Sequence, residues 1–228
     1  DVAFDGVVKG MEDYLNQIKV QRIMSWNGTF DEEKLTEMIT RKIRQEKIAI
    51  KDVKLRTFIT EDSSRNEMVQ HVYDITYGTV RAGQDTLVVI DDSIVRGTTL
   101  KESIVRMLGR LNPKKIIIVS SAPQIRYPDC YGIDMSKLGD FVAFRAAIAL
   151  LKERGMEQLL EDVHQTIKEL NRTNQLHTEN VVRRIYKPFT TEELSDKIAE
   201  LITPAGLGLP VQVIYQNIED LHASCPTN

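Results

Sequence analysis

The stretch Val88–Thr99, VVIDDSIVRGTT, decides the fold. The apolar run Leu87, Val88, Val89, Ile90 stops at two adjacent carboxylates, Asp91 and Asp92, which reads as a strand with an acidic tip. After the polar loop Ser93–Thr99 the period changes. In LKESIVRMLGRL the apolar residues Leu100, Ile104, Val105, Leu108 and Leu111 recur at helical spacing. Strand, acidic tip, loop and helix form one unit of an α/β sheet.

Two neighbouring carboxylates accept hydrogen bonds from vicinal hydroxyls and can orient a hydrated divalent cation. The loop offers hydroxyls at Ser93, Thr98 and Thr99, and Gly97 lets main chain approach an anion. The amino end of the following helix adds N–H groups and its dipole, worth about 0.3–2 kcal/mol per charge. A diol against Asp91 and Asp92, with a phosphate on the loop, describes a ribose 5-phosphate. A P-loop is excluded, because GxxxxGK[ST] is absent and the loop has no lysine. A receiver-type aspartate site remains open on the acidic pair alone; it leaves RGTT unexplained.

Downstream, Lys115–Ser121 (KIIIVSS) reads as a continuous apolar strand buried on both faces, the mark of a parallel sheet. The segment Ala122–Met135 that follows lies at the carboxyl edge, where open α/β sheets bind ligands. Phe141 to about Leu170 is expected to be helical with a break at Gly155. A second helical unit within Arg183–Leu201 has its start signalled by Thr190 or Thr191 ahead of Glu192 and Glu193. A last strand is expected over Val211–Tyr215 and a short helix over Ile218–His222.

Upstream, Val7, Val8, Met11, Tyr14, Leu15 and Ile18 fall on one helical stripe between Val2 and about Ile18. Asp31 to about Glu46 reads as a charged helix with a narrow seam of Leu35, Met38, Ile39 and Ile43. Val53, Leu55, Thr57 and Ile59 alternate as a strand within Ile48–Ile59, and Met68, Val69, Val72 and Ile75 suggest a helix.

The chain has 228 residues, a formal net charge of −3 and two cysteines, Cys130 and Cys225. It can bury a core without disulfides. Its charge gives no footprint for duplex nucleic acid, and no segment is long and apolar enough for a membrane helix or signal peptide. A reducing, cytoplasmic setting is expected. His71, His164, His177 and His222 lack metal-ligand spacing, and Cys130 has no histidine near it in sequence to make it a nucleophile. The start at Asp1, without Met, suggests a piece of a longer protein.

VVIDDSIVRGTT resembles the phosphoribosylpyrophosphate (PRPP) signature of type I phosphoribosyltransferases. SSAPQIRYPDCYGIDM is similar to the amidophosphoribosyltransferase branch, as are LRTFI at Leu55–Ile59, FVAF at Phe141–Phe144 and VIYQNIEDL at Val213–Leu221. The resemblance implies an open, mainly parallel sheet with flanking helices. It divides the chain into a core over 1–144, a helical insertion over 145–210, and a returning strand and helix over 211–228. It implies that Asp91 and Asp92 hold the ribose hydroxyls and Mg2+ and are the catalytic pair. Ser93, Ile94, Val95, Arg96, Gly97, Thr98 and Thr99 would wrap the 5-phosphate.

The reaction so implied is displacement of pyrophosphate from PRPP by ammonia in purine synthesis. Purine ribonucleotides, a glutaminase domain of the parent chain and further copies of the chain would be its partners. Family members carry the glutaminase domain and a pyrophosphate loop ahead of the residues matching Asp1–Ile18, so this chain alone is expected to be inactive. In many members the loop after RTFI is basic. Here TEDSSRNEMVQHV has Arg65 as its only formal cation, which makes Arg65 a candidate leaving-group contact. Tyr127 and Tyr131 lie beside the expected ribose site and read first as loop packing, with the lining of an ammonia passage or a nucleotide pocket as the alternative; Asp134 reads as a cap of its turn. A PRPP-sensing regulator and a base-specific salvage transferase are the rival readings. An attached DNA-binding segment and a basic face would favour the first, and neither is visible; the second does not account for APQIRYPDCYGIDM.

Overall fold

A computed structural model describes residues 2–29, 31–46, 49–51, 73–75, 78–129 and 135–225. The chain divides into two units, Asp1–Ile48 and Ala49–Asn228. The expected boundaries at 144/145 and 210/211 both fall within the second.

The first unit holds α1 (Val2–Met24) and α2 (Glu32–Thr40). Helix α1 extends past the expected end at Ile18, because nothing before Ser25 breaks it. Asp31 caps α2 by accepting the N–H groups of Glu33 at 3.1 Å and Lys34 at 3.3 Å. Helix α2 stops at Thr40, short of the expected Glu46, with Arg41 extended. Lys19 Nζ donates to the Ile39 carbonyl at 3.0 Å, taking the acceptor that a continuing helix would offer to Ile43.

The second unit opens with β1 (Ala49–Lys51) paired antiparallel to β2 (Tyr73–Ile75). Ile75 therefore lies in a strand, where a helix was expected. Alternation of Tyr73 and Ile75 with Asp74, together with cross-strand pairing, outweighs the helical spacing of Val72 and Ile75. The rest of the strand expected to Ile59, and Met68, Val69 and Val72, lie outside the described residues.

The main sheet is parallel, in the order β3 (Thr86–Asp91), β4 (Lys115–Ser120), β5 (Val211–Tyr215). Its register sets Asp91 beside Ser120, and Ser120 beside Tyr215, in one row across the carboxyl edge. Between β3 and β4 lies helix α3, whose first part, Leu100–Val105, is π-helical and whose last turn, Arg106–Gly109, is α-helical. The wide turn allows Leu100 and Val105, five positions apart, both to be buried.

Between β4 and β5 come α4 (Val142–Glu153), α5 (Gln158–Arg172), α6 (Arg183–Tyr186) and α7 (Thr191–Ile202); α8 (Ile218–Ser224) follows β5. Gly155, at φ 63°, separates α4 from α5 as expected. Helices α4 and α7 pack together, and Phe141, Val142, Ala146, Ala147 and Leu151 are buried with Leu194, Ile198 and Ile202 in the core. Lys197, 8% exposed, spans α4 and α7, donating to Glu153 at 2.7 Å and to Glu200.

Strand β4 is not equally buried on its two faces. Ile116 and Ile118 are fully buried, while Ile117 and Val119 are half-buried. Both crossovers step the same way across the sheet, and right-handed connections then lay their helices on one face. Within this unit the other face keeps Val88 42% and Ile214 43% exposed. The architecture is an open α/β sheet with flanking helices, of the type I phosphoribosyltransferase-like kind. Among the described residues, no helix is long and apolar enough to cross a membrane.

Helix α7 carries a full capping box. Thr190 Oγ1 accepts Glu193 N–H at 3.1 Å, and the Glu193 carboxylate accepts Thr190 N–H at 2.8 Å. Thr190→Ala removes one half of it and should cost about 1 kcal/mol. That corresponds to a fall of about 2–4 °C in Tm by calorimetry for a chain of this size. Thr190→Ser should restore most of the loss.

Candidate functional site

The carboxyl end of β3 gathers the predicted residues into one edge of the sheet. Asp91 closes the strand and is half-buried, whereas Asp92 is exposed. Asp92 N–H donates to Asp91 Oδ1 at 3.1 Å, and Ser93 N–H to Asp92 Oδ1 at 2.7 Å, so the main chain of the tip holds each carboxylate. Burial pushes the Asp91 carboxyl up to about 6, with the charge of Asp92 adding to the rise and the Asp92 N–H opposing it. A cation beside the pair would relieve both causes.

The loop Ser93–Thr99 is held from below. Ile94 is 2% exposed, so its side chain belongs to the core and only its main chain can face a ligand. Val142 N–H donates to the Val95 carbonyl at 2.8 Å. Arg145 Nη2 donates to the Arg96 carbonyl, while the Arg96 guanidinium pairs with Asp140 at 3.5 Å. Gly97 has φ 72°, and a Cβ there would stand 2.8 Å from Ile202 Cγ2. Thr98 and Thr99 are exposed, and Thr99 makes no side-chain cap to α3.

The structure thus brings Asp91, Asp92 and Ser93–Thr99 together. Arg65, His71, Cys130, Tyr131 and Asp134 lie outside the described residues. Tyr127 packs edge-on against Tyr186, with ring centroids 5.6 Å apart. The sequence reading missed Asp140, Val142, Arg145 and Ile202 as supports of the loop, and Ser121, whose Oγ donates to the Asp92 carbonyl at 3.1 Å. FVAF, just before Arg145, was the available signal for that support.

Among the described residues, no group of three or more His, Cys, Asp and Glu could hold a metal ion. Two hard carboxylates do fit Mg2+, which keeps several waters and takes one or two protein carboxylates together with substrate phosphates.

No family model matches the chain. The chain is 44% identical over 75 residues to amidophosphoribosyltransferase of Pasteurella multocida, a match covering 32% of this chain and 15% of that protein. It is 46% identical over 57 residues to the Escherichia coli amidophosphoribosyltransferase, covering 25% and 11%. Against the Schizosaccharomyces pombe amidophosphoribosyltransferase it is 38% identical over 82 residues, covering 34% and 15%. The matches thus span only about a seventh or less of the length of these relatives. Over about a third of its length, the chain is similar to amidophosphoribosyltransferases of bacteria and yeast.

Proposed function

We propose that this chain is the phosphoribosyltransferase part of an amidophosphoribosyltransferase, a cytoplasmic glycosyltransferase that takes PRPP and ammonia to 5-phosphoribosylamine in purine synthesis. One observation carries the reading: the acidic tip, held by its own main chain, runs directly into a glycine-turned loop at the carboxyl end of β3. Asp91 and Asp92 present acceptors for the 2- and 3-hydroxyls of the ribose. The main chain of Ser93–Thr99 and the hydroxyls of Ser93, Thr98 and Thr99 receive the 5-phosphate.

In the reaction the C1–O bond to pyrophosphate breaks, the leaving group keeping the electron pair, and a C1–N bond to ammonia forms. The resulting ammonium gives one proton to water to leave the amine. Positive charge grows on the ribose ring as pyrophosphate departs, and carboxylates held beside its hydroxyls are placed to favour that charge. Mg2+, held by Asp91 and Asp92, would supply charge neutralisation of the pyrophosphate. Ammonia is itself the nucleophile, so no general base is required of this chain. The glutaminase domain that would deliver the ammonia, the purine ribonucleotides and self-assembly are partners of the same reading.

Thermal unfolding tests it. With Mg2+ and PRPP at a hundred times Kd, linkage adds about 2.7 kcal/mol. Tm should then rise by about 5–10 °C. Ribose 5-phosphate should give a smaller rise, and adenosine none. Equal Tm with and without PRPP and Mg2+ would sink the proposal.

A further inference from the structure

The loop after β4 is tied at both ends. At its start, Ser121 N–H donates to the Asp91 carbonyl at 2.9 Å and Ser121 Oγ to the Asp92 carbonyl at 3.1 Å. Ser120 Oγ donates to the Ala122 carbonyl at 2.9 Å. Farther on, Gln124 Nε2 donates to the Thr191 carbonyl at 2.9 Å and to Ser195 Oγ at 2.8 Å. Gln124 Oε1 accepts two N–H groups of Arg126, at 3.1 and 2.7 Å.

Tyr186, 3% exposed, completes the set. Its hydroxyl donates to the Arg126 carbonyl at 2.7 Å, and its ring lies 5.5 Å from the Arg126 guanidinium carbon. Burial pushes this phenol well above its ordinary range, so the hydroxyl keeps its proton and remains a donor.

We infer that Tyr186 and Gln124 are positioning residues, through which α6 and α7 set the loop after β4 and, through Ser121, the acidic tip. Residues 121–127 have neither helix nor strand hydrogen bonding of their own. Their conformation is set by partners 60 to 71 residues away, at Tyr186 of α6 and at Thr191 and Ser195 of α7. An irregular segment with few restraints opens at low free energy, and small displacements at a site are costly. The positioning stands on the hydrogen bonds alone; its consequence for ligand rests on the function proposed above.

The test compares Tyr186→Phe, which deletes one hydroxyl and keeps the ring, with Gln124→Leu, in the intact chain. Arg184→Ala, which removes an exposed pair with Glu179, five residues earlier in the chain, serves as control. Hydrogen exchange at the Ser121 amide and across residues 122–127 should quicken about three- to tenfold in both variants, with the control unchanged. The Kd for PRPP with Mg2+ should rise by a similar factor. Unchanged exchange in both variants overturns the positioning. Faster exchange with an unchanged Kd overturns its transmission to the site. A wild-type chain that binds no PRPP defeats the proposed function, while the exchange comparison still decides the positioning.

Discussion

Asp91→Asn is expected to stabilise the folded chain at pH 8 while weakening the PRPP binding proposed for it. Asp91 titrates at about 6 in the folded chain against an ordinary value of 3.8, so the folded state holds the proton more tightly than the unfolded one. The stability this confers is complete below the unfolded value and disappears as pH rises through the folded value, leaving an uncompensated charge above about 6. A gap of about two pH units amounts to about 3 kcal/mol at full weight. Solvent screening of a half-exposed carboxylate brings the expected gain to about 1 kcal/mol. Asparagine does not titrate, and its amide oxygen can still accept the Asp92 N–H.

Denaturant unfolding across pH checks the sign. Wild type and Asp91→Asn should be equally stable near pH 3, diverge between about 4 and 6, and run parallel above 7. A variant less stable than wild type at pH 8 would contradict burial as the cause of the raised titration. In calorimetric binding, loss of a charged acceptor should weaken the affinity for PRPP with Mg2+ on the order of a hundredfold. An unchanged Kd would take Asp91 out of the site. A group that costs the fold stability yet is required for ligand is what separates a binding carboxylate from a strand cap.

The tip, the loop and the helix of this edge were legible because their signals are local. The apolar run ends at Asp91, the period changes after Thr99, and Val211–Tyr215 is a strand with its expected bounds. Thr190 announces α7 through Glu193, three residues on. What was not legible depends on residues far apart in the chain. Arg145 reaches the Arg96 carbonyl across 49 positions, and Lys19 ends α2 across 20. Hydropathy alone does not say which face of KIIIVS is covered, since that follows from both crossovers lying on one side. Ile94 reads as part of a ligand loop from its neighbours, yet its side chain is core.

Gly97→Ala should be the most damaging single methyl addition to this edge. At φ 72° an L residue costs about 1–2 kcal/mol in left-handed backbone. The new Cβ would also meet Ile202 Cγ2 at 2.8 Å and Val142 Cγ2 at 3.4 Å. Ile202 is 1% exposed and β-branched, so that methyl cannot swing aside, and overpacking of this kind costs about 1–3 kcal/mol. Nor can the loop retreat easily, because the Val95 and Arg96 carbonyls are held by Val142 and Arg145 of α4. The sum, about 2–5 kcal/mol, should lower Tm by about 4–20 °C. The two causes separate in a double-mutant cycle. Ile202→Ala is itself costly, by about 2–5 kcal/mol, but it deletes the opposing methyl. Adding Gly97→Ala in that background should therefore cost only the backbone share, about 1–2 kcal/mol. Strict additivity would mean that Ile202 does not set the space above Gly97. The glycine would then answer to backbone geometry alone, and the packing of α7 onto the loop would have no part in shaping the anion cradle.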